Sequence, residues 1–117
     1  VPEAIDDAHV NAEMNKVDNV SFIVGDMRDV FNDRLIDKYG KPDLIIVDPP
    51  RAGMHPKVVN SLLSSGSPRI IYVSCNSATQ ARDLEILKTT YHITRMQPVD
   101  MFPQTYHVEN VVLLEKI

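Results

Sequence analysis

The sequence holds a single cysteine, Cys75, and only four glycines, Gly25, Gly40, Gly53 and Gly66. One thiol excludes an internal disulfide and any metal site built on several thiolates. A lone free cysteine fits a reducing compartment, so a cytoplasmic location is expected. No two glycines form a G-x-G turn, so the phosphate-cradling signature of nucleotide-binding α/β domains is missing from this stretch. Long apolar runs are missing too. The longest, around residues 44–47 and 111–114, fall far short of the roughly 20 residues that cross a bilayer, so no membrane partner is expected, and no secretory signal pattern is visible. Basic charge is in deficit, with 12 Lys and Arg against 16 Asp and Glu and a formal net charge of -4. A chain that grips nucleic acid unaided usually presents a basic surface, so any such surface is expected to be small or carried elsewhere. The acidic balance leaves room for a deep pocket that accepts one flipped base. The histidines His9, His55, His92 and His107 share no metal-ligand spacing.

What is present is a globular balance: 117 residues, 44% hydrophobic and 24% charged, enough for one domain with a modest core. Residues 2–15 read as a helix, with Pro2 in its first turn and Ile5, Ala8 and Ala12 on one stripe. Residues 19–24 read as a short buried strand. Met27, Val30, Phe31 and Leu35 return to helical spacing, with Gly40 as the C-cap. Residues 44–47 form the cleanest strand, apolar throughout as when helices cover both faces of a parallel sheet, and Pro49-Pro50 stop it. Pro56 opens a helix that Gly66 ends, and residues 69–73 are another strand. Ser77, with Gln80 three residues on, is expected to cap the next helix, whose buried face is Ala81, Leu84 and Leu87. Arg82 and Asp83 read as surface charges. Residues 92–98 and 110–115 complete the chain as strands. Alternation of this kind predicts a doubly wound α/β fold, a mostly parallel sheet closed by an antiparallel hairpin.

Polar groups stand at the ends of the apolar strands: Asp26, Asp48 and Cys75. In open α/β sheets the carboxyl ends of the strands form the ligand crevice. Cys75 lies just before a helix N-terminus, where backbone donors and the helix dipole favour a thiolate; a single cysteine is otherwise a small buried hydrophobe. Asp48 suits an acceptor for a ligand amine or hydroxyl, or a turn aspartate bonding its own loop. Arg51 is placed to pair with it or to reach a phosphate. Asp26 after Gly25 is a weaker version of the same signal. Glu109, before the last strand, is either a solvated acid or a general base lifted by partial burial. On residue types alone, a Cys75–His107 hydrolase pair is the rival arrangement.

Five strings occur in order: Asp48-Pro49-Pro50-Arg51, Tyr72-Val73-Ser74-Cys75-Asn76, Ala81-Arg82-Asp83-Leu84, Asp100-Met101-Phe102-Pro103 and His107-Val108-Glu109. Each alone is weak. Together they resemble the TrmA/RumA-like RNA 5-methyluridine methyltransferases over essentially the whole chain. The resemblance implies a class I methyltransferase (Rossmann-like) fold, S-adenosylmethionine as methyl donor and a uridine of tRNA or rRNA as partner. It implies that Cys75 attacks uracil C6 and that Glu109 removes the C5 proton. It places Asp48 near the donor and the base, and Asp26 towards the cofactor's adenine. Ser77 departs from the proline usual after the Cys-Asn pair. The glycine-rich motif and the acid that holds the cofactor ribose are expected before Val1, as are further substrate-binding segments. Residues 1–117 are thus expected to be the C-terminal portion of the methyltransferase domain, inactive alone and weak in cofactor binding. The other alternative is a non-catalytic accessory module that keeps the fold.

Overall fold

The computed structural model describes residues 2–100 and 108–117. The elements run α1 (Pro2–Met14), α2 (Met27–Val30), α3 (Asp33–Tyr39), β1 (Ile45–Val47), α4 (Pro56–Ser64), β2 (Arg69–Ser74), α5 (Ser77–Leu87), β3 (Tyr91–Asp100) and β4 (Val108–Lys116). The four strands form one sheet in the order β1-β2-β4-β3. β1 and β2 are parallel, with α4 as the crossover that a parallel pair requires, and Val47 lies opposite Tyr72. β4 runs antiparallel to both neighbours, so the expected C-terminal hairpin is present with β3 outermost.

The core lies on one face of this sheet. Ile70 and Tyr72 of β2 oppose Leu114 and Val112 of β4, and all four are buried. Against them pack Val58, Val59 and Leu62 of α4 and Leu84 and Leu87 of α5. These positions recur at i, i+3 or i+4, the spacing that lines one side of a helix. The other face is open among the described residues. Ile46 is 64% exposed, and Ile71, Val73, Val111 and Leu113 are only partly covered. The apolar character of residues 44–47 predicted cover on both faces; here it is found on one.

Helix signals are mostly where the sequence places them. Ile5, Ala8 and Ala12 are the half-buried positions of α1. Gly40 has φ +89° and closes α3 by donating its N–H to Ile36 O at 2.7 Å. Pro56 occupies the first turn of α4, and His55 caps it by accepting from Lys57 N at 3.1 Å. Three expectations are corrected. The helical spacing from Met27 to Leu35 is split in two, because extended Asn32 accepts from Leu35 N at 3.2 Å and starts α3 afresh. Asn76, not Ser77, caps α5: its Oδ1 accepts from Ala78 N and Thr79 N. Residues 19–24 form no strand. A strand exists only through its ladder, and this segment has no paired neighbour among the described residues; Val20, Ile23 and Val24 are exposed.

Candidate functional site

The site begins where β1 and β2 end side by side. Asp48 follows the last residue of β1, and Pro49-Pro50 prevent further pairing. The chain turns at once, with Gly53 N donating to Pro50 O at 2.9 Å. Gly53 has φ +79°, and a Cβ there would fall 2.5 Å from Arg82 Nη2 and 2.9 Å from Asp83 Oδ2. Only glycine serves, by both conformation and space. The turn is tied to the loop after β2: Arg51 O accepts from Asn76 Nδ2 at 3.1 Å and from Thr79 Oγ1 at 2.8 Å. The loops bearing Asp48 and Cys75 are therefore one hydrogen-bonded unit.

Cys75 is half-buried and free. The β2–β4 ladder ends at the pair Ser74–Asn110. Cys75 follows Ser74 on one side of this pair and Glu109 precedes Asn110 on the other, so both flank the end of the ladder. Ser74 shapes this end by accepting from Asn76 N at 3.0 Å and donating to Asn76 O at 2.9 Å. Buried Gln80 pins it from below. Its amide donates to Tyr72 O and Asn110 O, each at 3.2 Å, and its carbonyl accepts from Asn110 Nδ2 at 2.8 Å. Glu109 is half-buried, and its Oε2 is buried with no hydrogen-bond partner among the described residues. Buried acceptors are normally satisfied by a donor.

Asp26 and Asp48 share a cleft of about 800 Å³, whose walls include Pro2, Val24, Asp26, Val47, Asp48 and Val58. That volume suits a small-molecule cofactor. Asp26 also caps α2, accepting from Arg28 N at 3.1 Å, and its carboxylate is more than half exposed. The structure thus groups the four sequence candidates as two pairs. Asp26 and Asp48 line the cleft, and Cys75 and Glu109 flank the end of the β2–β4 ladder. Met101, Phe102, Pro103 and His107 lie outside the described residues.

Asp83 is the residue that sequence reasoning misread. It is 1% exposed, not a surface charge. Its Oδ2 accepts from Tyr72 Oη at 2.6 Å and from Met54 N at 3.0 Å, and its Oδ1 from Arg82 at 3.2 Å. The Arg82 guanidinium also donates to Ala52 O at 2.9 Å. Burial, and then the bond to Asp83 and its charge, hold the Tyr72 phenol protonated well above the ordinary tyrosine range. The buried face of α5 is Gln80, Asp83, Leu84 and Leu87, with Ala81 exposed. A signal existed: residue 83 falls on the 80–84–87 stripe, a core position.

Comparison with known proteins bears on this geometry. Residues 2–117 match the sequence model of the family described as tRNA (Uracil-5-)-methyltransferase. A chain described as an uncharacterized RNA methyltransferase of Bacteroides thetaiotaomicron is 59% identical over 98% of this chain and 25% of its own length. One from Porphyromonas gingivalis is 53% identical over 97% of this chain and 25% of its own. The chain therefore spans about a quarter of the length of these curated relatives. Among solved structures, Pyrococcus abyssi tRNA (uracil-54, C5)-methyltransferase, in complex with S-adenosyl-L-homocysteine, aligns with TM-score 0.83 at 42% identity, covering 97% of this chain and 26% of that one. An rRNA methylase from Streptococcus thermophilus shares the fold alone, with TM-score 0.69 at 12% identity over 98% of this chain and 68% of that one. The fold is that of the class I methyltransferases, as expected. On the match across residues 2–117, the chain belongs to the tRNA (uracil-5-)-methyltransferase family.

Proposed function

We propose that this chain is the C-terminal portion of the catalytic domain of an S-adenosylmethionine-dependent methyltransferase acting on C5 of a uridine in tRNA or rRNA. One observation carries the reading: Cys75 and Glu109 flank the end of the β2–β4 ladder, and the buried Oε2 of Glu109 has no hydrogen-bond partner among the described residues. A nucleophile with a carboxylate in the same site is what the chemistry needs. Uracil C5 is a poor nucleophile while the C5–C6 double bond is intact. The Cys75 thiolate adds to C6, forming an S–C6 bond and moving the electron pair towards C5, which then takes up the methyl group. Glu109 accepts the C5 proton, the S–C6 bond breaks, and the C5–C6 double bond returns with the thiolate. S-adenosylmethionine supplies the electrophilic methyl group.

The cleft lined by Asp26 and Asp48 supports the cofactor assignment. Its volume fits, and two carboxylates offer acceptors for amine and hydroxyl groups and suit a cationic donor. A family solved with S-adenosyl-L-homocysteine bound to a relative adds to it. The acidic net charge agrees with a basic RNA-binding surface in the three quarters of the relatives' length that this chain does not span. No described helix is long and apolar enough to cross a membrane.

The test is covalent trapping in the full-length protein with RNA carrying 5-fluorouridine. Fluorine at C5 cannot leave as a proton, so the protein–RNA adduct should persist, and Cys75→Ser should abolish both adduct and methyl transfer. With ordinary uridine RNA, Glu109→Gln should slow release and let the adduct accumulate. Methyl transfer that survives Cys75→Ser at the normal rate would overturn the nucleophile. A Glu109→Gln enzyme that turns over normally without adduct would overturn the base.

A further inference from the structure

Burying a carboxylate is costly unless every oxygen finds donors, and an apolar residue would complete the α5 stripe with less penalty. Asp83 is nonetheless 1% exposed, and the donors it engages are specific. Tyr72 Oη comes from β2, the strand that delivers Cys75. Met54 N comes from the turn that follows Asp48. Both bond to the same oxygen, Oδ2. The other oxygen orients Arg82, whose Nη2 reaches Ala52 O at 2.9 Å and Met54 O at 3.5 Å. Gly53, between those carbonyls, is pressed so closely on Asp83 and Arg82 that no Cβ fits. Thr79, one turn earlier on α5, takes the other end of the turn through Arg51 O. Helix α5 thus holds the segment after Asp48 at three successive points, and the buried carboxylate is the centre of the grip.

We propose that Asp83 is a positioning residue for methyl transfer: with Arg82 it fixes the turn after Asp48 to α5 and so sets the spacing between the ends of β1 and β2. This rests on the reading of Cys75 and Asp48 as site residues. Asp83 touches neither substrate nor cofactor. It acts by holding the Asp48 loop and the Cys75 loop in one frame, and a displacement of about 1 Å between reacting groups costs on the order of a hundredfold in rate. The phenol of Tyr72, kept protonated by its burial and by Asp83, is a permanent donor on the same oxygen.

Asp83→Asn keeps volume and one carbonyl oxygen but turns an N–H₂ group towards either Arg82 or the Tyr72 and Met54 donors. Arg82→Ala removes the outer half of the grip at a side chain that is 54% exposed, so it keeps the claim testable should Asp83→Asn fold poorly. Both are made in the full-length enzyme and assayed in single turnover with saturating RNA and S-adenosylmethionine, alongside melting temperature. The expected result is a rate constant lower by about 30- to 100-fold for Asp83→Asn and about 5- to 10-fold for Arg82→Ala. Apparent affinities for RNA and cofactor should stay within about threefold, and Arg82→Lys, with a point charge in place of the fork, should restore only part of the loss. A merely structural residue would lower the folded fraction and leave the rate per folded molecule unchanged. Rates within twofold of wild type in both variants, or losses that vanish when normalised to folded protein, overturn the proposal. The 5-fluorouridine adduct of the wild type reports on Cys75 separately. If it fails to form while Asp83→Asn still slows methyl transfer, the nucleophile assignment falls and the positioning role stands.

Discussion

Residues 2–44 and residues 54–117 are similarly rich in apolar side chains but differ in what those side chains achieve. In the first region α1, α2 and α3 contain no fully buried residue; Phe31, between α2 and α3, is the one buried core side chain, and Leu35 and Ile36 of α3 pack against the core partly buried. In the second, α4, β2, α5 and β4 supply most of the core, with Leu62, Ile70, Tyr72, Leu87 and Val112 fully buried. Patterning is comparable; partnership is not. β2 has a neighbour on each side and two helices over one face, whereas residues 19–24 have no ladder at all. Burial stabilises a segment only when something lies against it. The division also runs through the candidate site: Cys75, Glu109 and Asp83 belong to the packed region, and Asp26 to the loosely packed one.

The largest expected effect tests that division directly. Leu62→Ala removes a fully buried side chain between α4 and the sheet and should lower the unfolding free energy of the chain by about 2–5 kcal/mol. Ile23→Ala, at a 39% exposed position outside any element, should change it by no more than about 0.5 kcal/mol. Urea denaturation measures both. Equal losses would mean that residues 19–24 pack as tightly as α4, and the comparison would break.

Next comes ligand affinity. The cleft is lined by Val24 and Asp26 from the loosely packed region, by Met54 and Val58 from the packed one and by Asp48 between them, so part of its wall lacks a firm base. The 117-residue chain should bind S-adenosyl-L-homocysteine at least about a hundredfold more weakly than the full-length protein does, a difference of about 2.7 kcal/mol. Calorimetric titration decides it, and a low-micromolar dissociation constant for the chain alone would show the cleft to be complete without further segments. Hydrogen exchange sharpens the same point: amides of residues 19–24 should exchange close to unprotected rates, and those of β2 and β4 near the global limit.

What the sequence made legible follows this line as well. Strand ends, the Pro49-Pro50 stop, the Gly40 cap and the placing of Asp48 and Cys75 rest on local signals, and these survive in the structure. Residues 19–24 had the local signal of a strand, but a strand is completed by a neighbour that composition does not reveal. Asp83 failed for a related reason. Its donors, Tyr72 and Met54, are 11 and 29 residues away, so whether it is a surface charge or a buried clamp is decided by tertiary contact. That Cys75 and Glu109 flank the same end of the β2–β4 ladder likewise depends on the register of β4, whereas their candidacy as site residues came from family resemblance.

The smallest effect expected is in pH dependence, and it isolates the packed region's polar centre. Tyr72 is fully buried and donates to Asp83 at 2.6 Å, and its phenol is held well above its ordinary value, by burial first and then by that bond and the Asp83 charge. A pKa raised in the folded state means that the folded chain retains a proton the unfolded chain gives up. The stabilisation from this group is fully present below about pH 10, the value for an unfolded tyrosine, and is lost as pH rises above it towards the folded-state value. Tyr72→Phe removes that titration while keeping the ring. At pH 8 the variant should be less stable than wild type by about 1.5–3 kcal/mol, the worth of a hydrogen bond to a charged acceptor. Between pH 10 and 11 the gap should narrow, because only the wild type has a phenol to lose. Lysines and the remaining tyrosines titrate alike in both proteins, so the difference between two denaturation series reads Tyr72 alone. A gap that stays constant across that range would mean that the phenol is not held protonated by the fold, and that Asp83 draws its donors from Met54 and Arg82 without it.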